Sequence, residues 1–240
     1  MPLGGFGMSA GIADAANLAW KLAGVLHGWA MPQILDAYEA ERQPITEQAS
    51  RIISDIAYQR MLQANELSPD IERLDEIGGA ARAVAGQVSY ALDVEQQCCG
   101  GLNFGYFYDG SPIIAYDGEQ APIYTMGTFT SSTVPGCRAP HVWLEGGRSL
   151  YDAMGPDYTL LRFDPTAHVD GIVAAAAQRA LPLAVLDVRS DEASQHYRHK
   201  LMLVRPDQHV AWRGDEEPAD ILGLVDLLRG AAATSVAKAA

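Results

Sequence analysis

The residues best placed to do chemistry stand at the beginning of the chain, where Pro2-Leu3-Gly4-Gly5-Phe6-Gly7-Met8-Ser9-Ala10-Gly11 feeds an apolar helical pattern. Glycines so dense suit a backbone that approaches a ligand closely. The helix that follows points its first free N–H groups and its positive dipole end at the loop, which favours an anionic or electron-rich group. Gly5-x-Gly7-x-x-Ala10 matches the dinucleotide fingerprint G-x-G-x-x-G/A. That fingerprint requires a strand before it and an acidic residue at the end of the next strand. No strand pattern precedes it in this chain, and the acidic residues at a suitable distance, Asp36 and Glu39, lie in a second helical pattern. The loop therefore reads as a ligand-facing helix entry and not as a Rossmann turn.

Other reactive side chains offer less. Cys98, Cys99 and Cys137 form no C-x-x-C and no disulfide framework, and the adjacent Cys98-Cys99 pair could bridge only with strain. They read as ordinary small side chains in a reducing, cytoplasmic compartment. His141, His168, His196, His199 and His209 lack metal spacing and read as surface or strand-capping residues; no metal site is expected. Glu41 and Arg42 could be a binding pair, but the favoured reading is a solvated helix face, where ion pairs contribute little. No side chain stands out as a general base, so no catalytic residue is assigned.

The 240 residues, 48% hydrophobic, suffice for one large domain or two modest ones. A formal charge of -13 argues against nucleic acid or an anionic membrane as partner. No apolar run approaches a membrane span, and the first residues lack a signal-peptide profile.

Helical periodicity runs from Ala10 to Leu26 and stops at Gly28. Pro32 opens a second helix to Arg42, Pro44 reads as a kink, and the pattern resumes from Ile45 to Leu67. Ser68-Pro69-Asp70 is a break, followed by a helix from Ile71 to Ala85. Phe104, Tyr106 and Tyr108 alternate as three rings on one face of an extended strand, lining an aromatic-substrate pocket or, the favoured reading, packing into a core. From Cys137 onward short strands alternate with helices. Strands are expected at 141–144, 158–163 and, buried, at 184–188, with a hairpin of 200–204 and 209–212 around Pro206-Asp207-Gln208. Helices are expected at 149–154 with Ser149 as N-cap, at 170–180 and at 218–229. Strand, helix, strand, hairpin, helix is a thioredoxin-like order. The expected fold is α/β: a helical region over 1–118, a linker at 119–136, a thioredoxin-like domain at 137–230 and a tail at 231–240.

The longer string Pro2-x-Gly4-Gly5-Phe6-Gly7-Met8-x-x-Gly11-Ile12-x-Asp14-Ala15-x-Asn17-Leu18-Ala19-Trp20-Lys21-Leu22, followed by Tyr38-Glu39-x-Glu41-Arg42-x-Pro44, resembles the flavin-contacting segment of the FAD-dependent aromatic hydroxylases. The phenol hydroxylase and 3-hydroxyphenylpropionate hydroxylase branch of the p-hydroxybenzoate hydroxylase superfamily is the nearest likeness. Arg138-Ala139-Pro140-His141-Val142-Trp143-Leu144 and Leu203-Val204-Arg205-Pro206-Asp207-x-His209-Val210-Ala211-Trp212-Arg213 look like the same family's C-terminal domain.

The resemblance implies FAD as cofactor, NAD(P)H as co-substrate and a small phenolic or aromatic substrate hydroxylated with O2. By position, Gly7, Met8 and Ser9 match residues whose backbone contacts the pyrimidine edge of the isoalloxazine ring. Reduced flavin gains negative charge near N1 and O2 there, which a helix start stabilises. Pro2 matches a loop proline close to the flavin, and Gly4 and Gly5 belong to the same loop. Ser9 departs from the family's common Asn. The family's Gly-Asp-Ala-Ala-His strand end would fall before Met1, so the chain is expected to carry the far side of a flavin pocket without the dinucleotide-binding half, inactive by itself.

The turn where a thioredoxin keeps its dithiol reads Asp164-Pro165-Thr166-Ala167, which implies a redox-silent domain. The rival expectation is a non-catalytic thioredoxin-like interaction or dimerisation module. Both anticipate a homo-oligomer, because the first helix carries an apolar face without an evident partner.

Overall fold

In the computed structural model, which describes residues 6–231 apart from the side chains at 95 and 96, the pattern after the glycine loop becomes helix α1, Gly7–Leu26. A 3-10 turn at Pro32–Leu35 leads into α2, Asp36–Asn65, which runs through Pro44 as one helix. A further 3-10 turn, Pro69–Glu72, is capped by Ser68, whose Oγ accepts from the N–H of Asp70 at 3.2 Å. Helix α3 spans Glu76–Gln97, later and longer than the periodicity suggested. Asp75 starts it by accepting from the N–H of Gly78 at 3.1 Å, an N-cap preference that outweighs the apolar pattern around Ile71.

The chain divides into two compact units. One holds residues 1–11, 44–106 and 124–130; the other holds 12–43, 107–123 and 131–240. In the first, Ile56, Cys99 and Met126 form a small core with Phe6, Ile52, Ile53 and Leu102 against it. Here the expected aromatic strand gives way to a π-helical turn, Gly101–Gly105. The turn forms because the chain must pass very close to residues 125–128. The N–H of Leu102 donates to the carbonyl of Met126, and a Cβ on Gly101 would fall 1.7 Å from the carbonyl oxygen of Thr125. Strand alternation is thereby lost: Phe104 is exposed, Tyr106 half-buried and only Tyr108 buried. Gly101→Ala is expected to destabilise the protein by at least about 2 kcal/mol in urea unfolding, since backbone and not a flexible side chain must yield.

The second unit is built on a four-stranded sheet in the order β2-β1-β3-β4. In chain order it contains α4 (Leu150–Ala153), β1 (Tyr158–Arg162), α5 (Asp170–Gln178), β2 (Leu183–Asp187), α6 (Ala193–His196), β3 (Leu201–Val204), β4 (Val210–Gly214) and α7 (Ile221–Leu228). Strand β1 pairs parallel with β2 and antiparallel with β3, and β3 pairs antiparallel with β4. This is the thioredoxin arrangement, a βαβ unit joined to a ββα unit. Ser149 caps α4 as expected, accepting from the N–H of Tyr151 at 3.2 Å.

Alternate residues of the central strands feed two cores. Tyr158, Leu160, Leu201, Leu203 and Ala211 face the helical layer of α5 and α7, with Trp20, Ile34 and Ala37 beside them. Leu161, Met202, Val204 and Val210 face Val142, Leu150 and Tyr197. Strands covered on both sides read as continuous apolar runs. Trp20 and Trp29 stack at 6.4 Å, each edge-on to Tyr158, whose hydroxyl donates to the carbonyl of Leu228.

Two sequence expectations are corrected in this unit. The 184–188 strand is not buried: β2 is the sheet edge, with Ala184 and Val185 exposed, because its apolar run meets one neighbour only. Residues 141–144 form no strand beyond a single bridge between Trp143 and Ser149.

Candidate functional site

The helix start expected to face a ligand is open. Gly7, Met8 and Ser9 form the first turn of α1 and are exposed, Met8 at 77%. The carbonyl of Phe6 accepts from the N–H of Ala10 at 2.9 Å, so the helical ladder begins at Ala10. The N–H groups of residues 7–9 precede the ladder and are the ones such a terminus offers. No acidic side chain stands in the first turn, and among the described residues a Cβ on Gly7 would meet nothing within 4 Å. An electron-rich planar edge therefore finds room and a positive field here, which fits the pyrimidine edge of a flavin. Pro2, Gly4 and Gly5 lie outside the described residues.

Beyond that turn, α1 presents two opposed faces. Ile12, Ala15, Ala16, Ala19, Leu22, Ala23 and Leu26 make an exposed apolar stripe. The buried face instead carries Asn17, Trp20, Lys21 and Gly24. The periodic apolar residues therefore mark the outward side, and a largely polar side is the one that packs.

What receives that side is a charge network that the sequence did not announce. Glu41 and Arg42, expected on a solvated face, are 1% and 4% exposed. Arg42 Nε donates to Asp14 Oδ1 at 2.7 Å. Glu41 Oε2 accepts from Asn17 Nδ2 and Lys21 Nζ, both at 2.7 Å, and from Arg205 Nη2 at 2.9 Å. Glu41 Oε1 accepts from Ser111 Oγ and Arg205 Nη1, each at 2.5 Å. Lys21 Nζ also donates to Asn17 Oδ1.

Arg205 and Asp207 belong to the turn between β3 and β4. Arg205 Nη2 and Nε donate to the two carboxylate oxygens of Asp207 at 2.6 and 3.0 Å, and Trp20 Nε1 donates to Asp207 Oδ2 at 3.2 Å. The guanidinium lies between the rings of Trp20 and Tyr108, at 5.1 and 5.0 Å. His209, expected as a surface or strand-capping residue, stands just before β4 and is buried, its ring 4.2 Å from that of Tyr108. The hairpin turns it inward, where its Nδ1 lies 3.0 Å from the carbonyl oxygen of Asp207.

The network is close to neutral, with Lys21 and Arg205 against Glu41 and Asp207, and its electrostatics follow from burial opposed by pairing. Burial by itself pushes the Glu41 carboxyl up, but the Arg205 guanidinium and Lys21 outweigh it and hold the group at about 2. Asp207 is held well below the usual carboxylate range, Arg205 and His209 overcoming the penalty of burial. Burial and the positive charge of Arg205 bring Lys21 down to about 8 against the pull of Glu41. Burial likewise lowers His209, favouring the neutral imidazole. Every charge is paired, so the cluster is suited to holding elements together and not to proton transfer.

Elsewhere, the thioredoxin-like turn after β1 holds Asp164, whose Oδ1 accepts from the N–H and hydroxyl of Thr166, and no thiol stands there. Cys99 and Cys137 are buried, and burial pushes both thiols up. Among the described residues no group of three or more His, Cys, Asp and Glu side chains is placed to hold a metal ion. Among the same residues no helix is long and apolar enough to cross a membrane.

Comparison with known proteins gives these features a family. Residues 1–52 match the FAD binding domain family, and residues 132–234 match the aromatic-ring hydroxylase C-terminal family. The FAD-dependent monooxygenase apdD of Emericella nidulans is 35% identical over 235 residues, covering 92% of this chain and 38% of its own length. Phenol 2-monooxygenase of a Pseudomonas species is 30% identical over 270 residues, covering 95% of this chain and 43% of its own. The rebeccamycin biosynthetic enzyme RebC with reduced flavin superposes with a TM-score of 0.86 at 38% identity, over 96% of this chain and 43% of that one. The flavin-dependent monooxygenase PieE, solved with FAD and substrate, gives 0.75 at 27% identity, over 95% and 45%. The chain spans about two-fifths of the length of these curated relatives. One matched segment contributes Asn17, Lys21 and Glu41 to the buried network and the other contributes Arg205 and Asp207, and the chain matches the C-terminal portion of FAD-dependent aromatic hydroxylases.

Proposed function

We infer that this chain forms the C-terminal part of a flavin-dependent monooxygenase that hydroxylates a phenolic or other aromatic compound with NAD(P)H and O2. The observation that carries the reading is the exposed, acid-free first turn of α1, in a segment that matches an FAD binding family. Gly7, Met8 and Ser9 offer backbone N–H groups to the pyrimidine edge of the isoalloxazine ring. When bound, FAD supplies the redox chemistry, accepting electrons from NAD(P)H and activating oxygen. The protein's share is to orient the ring, place a helix dipole at the developing charge and exclude water.

A second reading, a non-catalytic interaction module, draws support from the cysteine-free turn at Asp164–Ala167 and from the exposed stripe on α1. One experiment separates the two. The 240-residue chain alone is expected to gain no flavin absorbance on incubation with FAD. Co-expression with a polypeptide supplying the dinucleotide-binding half of such an enzyme is expected to yield a yellow complex that oxidises NAD(P)H. A complex that stays colourless sinks the enzymatic reading and favours the module.

The same stripe leads us to expect self-association of the isolated chain, seen as a sedimentation coefficient that rises with concentration. Leu22→Glu with Leu26→Glu should abolish the rise.

A further inference from the structure

We propose that Glu41 and Arg205 are positioning residues for the flavin-facing start of α1, and that presenting this helix is what the thiol-free C-terminal domain contributes. The proposal rests on the flavin reading above for what the helix start faces; the clamp itself is a separate matter.

The pair spans 164 residues of sequence and joins the two family segments. Arg205 is anchored on the sheet side. Asp207 holds its Nε and Nη2, and the hairpin turn is closed by backbone bonds from Arg205 to His209 and from Gln208 to Arg205. Its remaining reach goes to both oxygens of Glu41. Glu41 in turn grips α1 at Asn17 and Lys21, four residues apart and therefore on one face of the helix. Two points of attachment on one face fix both the rotation and the axial position of a helix. Trp20, between them, adds a third bond, to Asp207 Oδ2. A helix is stiff over the roughly 12 Å of rise that separates Asn17 from Ser9. Locking it at Asn17 and Lys21 thus sets where its first turn stands.

An apolar contact of similar area would hold the helices together but would let α1 slide or rotate. A fork of hydrogen bonds to a carboxylate does not, because its geometry is directional. That accounts for four charged side chains being kept in a core whose replacement by apolar residues costs no solvation. Ser111 completes the lock by donating to Glu41 Oε1 from outside both matched segments.

The test is amide hydrogen exchange on the 240-residue chain without flavin, in wild type, E41Q and R205K. R205K keeps the charge and loses the fork. In both variants the acceleration at the amides of residues 10–16, the first bonded turns of α1, is expected to exceed that at β1 and α5 by at least tenfold. Equal acceleration everywhere marks a general stability effect and overturns the proposal; no acceleration overturns it as well. Should both variants fail to fold, wild-type exchange in sub-denaturing urea decides. Amides 10–16 are expected to open together with β3, and opening through urea-independent fraying overturns the clamp. A selective loosening with no flavin retained in the co-expression experiment would refute the flavin reading alone, so the two failures are distinguishable.

Discussion

Glu41→Ala is expected to lower the unfolding free energy by about 3–5 kcal/mol, the usual cost of removing one partner from a buried ion pair. The truncation leaves the Arg205 and Lys21 charges without their shared carboxylate in a place water does not reach, both side chains being fully buried. It also strands the hydrogen-bonding groups of Asn17 and Ser111 that pointed at Glu41. Chemical denaturation of wild type, Glu41→Ala and Ser111→Ala checks it. Ser111→Ala deletes one of the bonds to the carboxylate and should cost only about 1 kcal/mol. Equal costs for the two would mean that the charge pairing contributes nothing beyond packing. The result also bears on the rival view of Glu41 and Arg42 as a solvated pair, since an exposed pair would show at most about 1 kcal/mol on truncation.

Stability should collapse in acid over a window that Glu41 sets. Its carboxyl titrates at about 2 in the fold against an ordinary value of 4.5. The folded state thus binds the proton more weakly than the unfolded state. Stability from this group is fully present above pH 4.5 and drains as pH falls through 4.5 towards 2. At about 1.4 kcal/mol per pH unit the total is roughly 3 kcal/mol. Asp207, depressed in the same direction, steepens the loss. Lys21 acts with the opposite sign: held at about 8 against 10.5, it makes stability rise as pH climbs from about 8 to 10.5. Urea midpoints measured from pH 2 to 10.5 read both limbs. E41Q should remove Glu41's share of the acid limb, and Lys21→Met should flatten the alkaline one. An acid limb unchanged by E41Q would show that other carboxylates carry it.

Much of the fold is legible from local signals. Apolar periodicity gives α1, α5 and α7, Ser149 marks the start of α4, and the Pro206-Asp207-Gln208 turn gives the β3–β4 hairpin in its place. These hold because capping, turn chemistry and pattern act within a few residues. The misreadings fall where a distant backbone intervenes. Phe104 and Tyr106 lost their strand because residues 125–128 press on Gly101, and the 184–188 run became an edge strand because sheet order is set by other strands. The helix start at Gly7 was legible from its glycines and the apolar helix beyond.

The clamp was not legible, although its members sat inside the strings that carry the family resemblance. Lys21, Glu41 and Arg205 each look like an ordinary surface charge to any local rule, and that expectation is right for most charged side chains. Composition, period and motif were enough to establish a glycine-rich helix start, a thioredoxin-like order without its dithiol and a kinship with flavin hydroxylases. Which face of α1 is buried, and that its polar side and not its apolar stripe meets the sheet, depended on where Arg205 and Asp207 arrive after folding. Burial of a charge is a property of its partners, and Glu41 and Arg205 stand 164 residues apart.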